Sequence, residues 1–86
     1  LEPFVRARLA HPHPNVRAGA LAALRAAGGW PADGEALLCD PWPAVREELA
    51  RSLALAPGAA AVDALERLAR DPDGRVARAA LRAACG

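Results

Sequence analysis

Asp40-Pro41-Trp42-Pro43-Ala44-Val45-Arg46 decides the fold, because the same plan stands twice more in the chain. His11-Pro12-His13-Pro14-Asn15-Val16-Arg17 precedes it, and Asp71-Pro72-Asp73-Gly74-Arg75-Val76-Ala77 follows it. Val16 and Val45 are 29 residues apart, and Val45 and Val76 are 31 apart. Self-similarity at a period of about 20–50 residues marks a stacked repeat array. Each copy closes one apolar stretch with a proline and opens a longer, alanine-rich one. The unit is a helix–turn–helix, and three units are about the fewest that bury a shared core.

Outward from the three turns, the pattern predicts six helices. The first covers residues 3–10, with Pro3 suited to a first turn and Phe4, Val5 and Leu9 on one side. Pro12 ends it, because the residue before a proline is driven out of the helical region. The second runs from Pro14 to about Ala27, with Val16, Ala20, Ala23, Leu24 and Ala27 recurring on one face. Gly28-Gly29 ends that helix, and Trp30-Pro31-Ala32-Asp33-Gly34 connects it to a short third one, Gly34 to Cys39, carrying Leu37 and Leu38. The fourth opens at Pro43 and reaches about Leu55, with Val45, Leu49, Ser52, Leu53 and Ala56 facing inwards. Pro57-Gly58 breaks the chain before a fifth, Ala59 to Arg70, lined by Leu65, Leu68 and Ala69. Asp73 stands where an N-cap belongs. The sixth helix, Gly74 to about Ala84, presents Val76, Ala80, Ala83 and Ala84, and strands are not expected.

An Asp-Pro turn followed by Val-Arg, then small and leucine residues at helical spacing, resembles the HEAT repeat. The form it is most similar to is the bacterial one known from phycobilisome-lyase-like (PBS lyase) proteins. The resemblance covers nearly the whole chain. It implies an all-α fold: an α-α superhelix, or solenoid, of three HEAT-like helix pairs. These form a single domain, 1–86, with repeats of about 1–29, 30–57 and 58–86. The first helix of each pair would line the convex side and the second the concave side. HEAT-like arrays also join neighbours through an arginine of one repeat and an aspartate of the next. Carried over residue by residue, that ladder pairs Arg17 with Asp40 and Arg46 with Asp71. His11 and Ala77 leave both outer positions vacant, so the three repeats read as a finished ladder.

Composition narrows function by exclusion. The chain has 86 residues and a net charge of +1 from eleven basic and ten acidic groups, and every basic one is arginine. Nucleic-acid surfaces normally carry a marked positive excess, because affinity comes largely from phosphate neutralisation. The Ala, Arg, Gly and Pro bias is read as GC-rich bacterial codon usage. Cys39 and Cys85 lie on different repeats without a CxxC, and both are expected to be free thiols. No export signal and no apolar run of about 18 residues is read, so a cytoplasmic location without a membrane span is expected. The chain begins at Leu1 and ends at Gly86. It reads as an accessory domain of a larger protein.

No catalytic constellation emerges, and no enzyme activity, cofactor or metal is expected. His11 and His13 lie two residues apart, but no third metal ligand can be named. His11 fills the slot of Asp40 and Asp71, and His13 is placed to cap the second helix. Adjacent Glu47 and Glu48 project about 100° apart and lack the facing geometry of a hydrolytic carboxylate pair. Ser52 has no base beside it, and its hydroxyl can bond back to a carbonyl four residues earlier. Trp42, between two prolines, either folds over its turn or offers an exposed aromatic for a partner or a base to meet. Trp30 reads as a plug between repeats.

Arginines on the second helix of each pair supply the remaining candidate surface. They are Arg17 and Arg25, Arg46 and Arg51, and Arg75, Arg78 and Arg82, interrupted by Glu47 and Glu48. The candidate binding residues are Trp42, Arg25, Arg51, Arg78 and Arg82. The function expected is a protein-interaction or scaffold module with a protein partner. The alternative is a HEAT-like domain that binds nucleic acid through concave arginines.

Overall fold

The computed structural model describes residues 7–27, 34–55 and 58–85. Its described residues are helical and contain no strand. Among the described residues five α-helices follow a 3₁₀ turn, Arg8–Ala10: α1 (Pro14–Ala26), α2 (Gly34–Leu38), α3 (Pro43–Leu53), α4 (Ala59–Leu68) and α5 (Gly74–Cys85).

Local chemistry explains where each helix starts. Pro14 and Pro43 occupy the first turns of α1 and α3, where a missing N–H costs nothing. His13 caps α1, its Nδ1 accepting from the Asn15 amide, and Asp73 accepts from the Arg75 amide at the start of α5. Gly58 precedes α4 at φ +99°, a conformation that side chains with a Cβ rarely adopt.

The chain packs in two layers. In one, α3 lies between α1 and α5 and touches both, while α1 and α5 do not meet. In the other stand the 3₁₀ turn against α1, α2 against α3, and α4 against α5, with α2 also reaching α4. Leu21, Leu24, Val45, Leu49 and Val76 are the largest fully enclosed side chains. Leu53, Leu65 and Leu68 complete the apolar centre, and small residues such as Ala50, Ala61 and Ala80 let the helices approach.

Several expectations need correction. Of the first predicted helix, 3–10, the described part is Ala7, which is α-helical, followed by the 3₁₀ turn Arg8–Ala10, which has no buried residue. His11 is extended (ψ 141°) ahead of Pro12, which stops any helix there. Residues 3–6, Trp30 and Ala56 lie outside the described residues.

On α1, Ala23 and Ala27 are exposed, while Leu21 is buried in their stead. On α5, Ala84 is exposed. The cause is position in the stack. Counted from the repeat valine, Leu21, Ala50 and Leu81 hold the same place. Leu21 and Ala50 are sealed, whereas Leu81 is 52% exposed. Among the described residues α1 and α5 each have a flank with no neighbouring helix in their layer, so the same position changes burial at the ends.

Candidate partner-binding groove

The three turns are tied together first. Arg17 lies bidentate on Asp40, Nε to Oδ2 at 2.7 Å and Nη2 to Oδ1 at 3.1 Å. Arg46 repeats this on Asp71 at 2.6 and 3.1 Å. These are the pairs that the resemblance to HEAT-like arrays implies. Each arginine also donates to its own turn: Arg17 to the His11 and Pro12 carbonyls, and Arg46 to the Asp40 carbonyl. Each aspartate in turn accepts the amide two residues on, Trp42 for Asp40 and Asp73 for Asp71. At the first turn the Nδ1 of His11 does the same for the His13 amide.

Both carboxylates are largely shielded from water. Burial alone would raise the pKa of Asp71. The Arg46 guanidinium and the Asp73 amide outweigh it and hold the carboxyl below its ordinary value of 3.8. The hydrogen bond to Asp71 correspondingly raises Arg46, against an opposing effect of burial. A planar fork on a carboxylate in a protected seam fixes register as well as charge.

On the side of α3 away from the rungs, two seams differ. Toward α1, Arg25 donates to the Glu48 carboxylate at 2.9 Å, and to the Glu48 carbonyl and the Ser52 hydroxyl at 3.3 Å. Ser52 donates back to the Glu48 carbonyl. Arg51 closes the network on Glu48 and Glu47, both at 2.9 Å. Arg25, expected on the partner surface, is instead spent in this bridge, because Glu48 of the next repeat lies opposite it. Glu47 and Glu48 are likewise held by arginines.

Toward α5 the same places hold alanines. Nine residues past the repeat valine, Arg25 becomes Ala54; three past it, Glu48 becomes Ala79; seven past it, Ser52 becomes Ala83. A groove of about 470 Å³ opens there, floored by these three alanines. Glu47 and Arg51 of α3 form one wall, and Arg75, Arg78 and Arg82 of α5 form the other. The three arginines of α5 fall at i, i+3 and i+7, which is one helical face. Glu47 is neutralised by Arg51. Arg75 reaches Asp73 only at 3.8 Å and is mostly exposed. Arg78 donates to the Gly74 carbonyl at 3.4 Å. Neither Arg78 nor Arg82 has a carboxylate within ion-pair reach among the described residues.

Of the expected binding residues, Arg51, Arg78 and Arg82 therefore converge on one groove. Trp42 does not line it. It is 53% exposed at the N-cap of α3, where it makes no side-chain cap, unlike His13 and Asp73 at their helices. Arg75, part of the expected arginine surface, lines it too, and the groove residues that sequence reading passed over are Ala54, Ala79 and Ala83. Comparing the second and third repeats column by column against the Arg25–Glu48–Ser52 set is the signal that finds them.

Cys39 and Cys85 are both free and exposed. Among the described residues no cluster of three or more His, Cys, Asp or Glu side chains is arranged to hold a metal ion. No described helix is long and apolar enough to cross a membrane. No protein-family model matches the chain, and neither does any curated protein or solved structure.

Proposed function

We propose that this chain is a helical-repeat interaction module, a scaffold of three HEAT-like repeats that holds a protein partner in the groove between α3 and α5. It carries out no chemistry of its own. The observation that carries the reading is the groove itself: a seam built like its neighbour but stripped of the side chains that fill that neighbour. The alternating layers and the two Arg–Asp rungs support the repeat assignment. Repeat arrays present extended surfaces made by adjacent units, and a seam left open between two units is such a surface.

The arginines around the groove favour nucleic acid as the second reading. Glu47 in one wall, the alanine floor and the absence of an aromatic platform among the lining residues weigh against it.

Selection of a random peptide display library on the immobilised protein tests the proposal. Enriched peptides should bind the wild type and lose binding to A54R/A79E/A83S, in which the first seam's side chains refill the second. An empty selection, or equal binding to both proteins, removes it.

A further inference from the structure

The two seams together say what the groove lacks. In the α1–α3 seam a carboxylate of the chain itself, Glu48, sits between Arg25 and Arg51 at 2.9 Å from each. In the α3–α5 seam the place of that carboxylate belongs to Ala79, while the place of Arg51 is kept by Arg82. Arg78 adds a second cation where the preceding repeat has Glu47. Of the bridge's two cations, the place of Arg25 is taken by Ala54 and that of Arg51 is kept by Arg82; with Arg78 added, two cations face the seam and the anion is gone. α5 contains no acidic residue at all.

We infer that the partner is an acidic protein segment whose Asp or Glu side chains occupy the vacated carboxylate place, bonded by Arg78 and Arg82, with its backbone and small side chains over Ala54, Ala79 and Ala83. This rests on the groove being a protein-binding site. Carboxylates suit the arginines because a guanidinium presents two parallel donors to a planar acceptor. The floor favours a peptide over a nucleic-acid strand, since methyl groups give no stacking surface and no donor to sugar or base. Glu47 stays inert toward an acidic ligand because Arg51 already neutralises it.

The test is a titration of the protein into a fluorescein-labelled, end-blocked peptide of alternating Glu and Ala, read by anisotropy at low salt. The Gln-Ala peptide of the same length and an oligothymidylate of the same charge run beside it. Saturable binding of the Glu-Ala peptide alone is expected. R78A/R82A should weaken it at least about tenfold, the loss of roughly one charge-assisted hydrogen bond. R67A/R70A removes the same charge from exposed sites on α4 and just after it, and should change it less than about twofold.

Equal losses in the two double variants would mean general charge attraction and overturn the inference. So would tighter binding of oligothymidylate, or no binding of the Glu-Ala peptide. If R78A/R82A fails to fold, A54R/A79E/A83S serves in its place and must lose binding to the same degree. A display selection that enriches neutral peptides competing at the groove would overturn the acidic specificity and leave the interaction module intact.

Discussion

Along α3 the molecule presents one seam toward α1 and another toward α5, and the two share a plan on one side only. At the turns both are closed alike, Arg17 on Asp40 and Arg46 on Asp71, with geometry that agrees to about 0.1 Å. On the opposite side the first seam is stitched by Arg25, Glu48, Ser52 and Arg51, and the second is left as an alanine floor under arginines. The valine and, four residues after it, a buried apolar side chain (Ala20, Leu49, Ala80) recur in every repeat, and the rung recurs at both seams; these hold the stack. The positions that vary decide what each seam meets. Stability and recognition are therefore written in different columns of the same repeat.

That division can be broken most sharply at a constant position. Leu49 is completely buried in α3, the helix common to both seams. Leu49→Ala is expected to cost about 2–5 kcal/mol in urea unfolding, as core leucine truncations do, and that is a large part of what a domain this size holds. A loss of only a few tenths would mean that α3 is not the shared centre.

The rungs come next. Asp71→Asn should cost about 1–3 kcal/mol, because Arg46 keeps its donors while losing the charged acceptor. Its signature is the pH dependence. The folded pKa of Asp71 lies below its unfolded value. Its contribution is therefore present above the unfolded value of 3.8 and is lost as pH falls through the folded one. Wild type should lose stability on acidification below about pH 4, and D71N should lose less over the same range. Identical acid profiles would remove the rung from the account.

The smallest effect belongs to the variable side. A54R/A79E/A83S adds partly exposed ion pairs, so its stability should move by less than about 1 kcal/mol in either direction. A large loss would show that the alanines are needed for packing and are not merely the floor of a site.

The rungs were legible because the turns align the acid column, Asp40 and Asp71, with the arginine column, Arg17 and Arg46, and the resemblance to HEAT repeats implies that an arginine of one repeat pairs with the aspartate of the next. The caps at His13 and Asp73 were legible from residue type and place, since each stands just before a helix and can accept from a free first-turn amide. Ala23 and Ala84 were misread as buried because helical periodicity reports which residues share a face. It does not report whether another helix covers that face, and among the described residues α1 and α5 each lack one neighbour. Arg25 was misassigned to a free surface because its partner, Glu48, is 23 residues away and is brought opposite only by the register of stacked repeats. The groove could not be seen as a run of residues, since its floor consists of alanines ordinary in any helix. It appears only when the second seam is laid over the first.

Amide chemical shifts followed during titration with the Glu-Ala peptide test the central claim most directly. The account predicts that the amides of Arg51, Ala54, Arg78, Ala79, Arg82 and Ala83 move together with a single dissociation constant. Those of Arg25, Glu48 and Ser52 in the filled seam should stay in place. Shifts spread evenly over the arginines of both seams, or centred on α1, would contradict it.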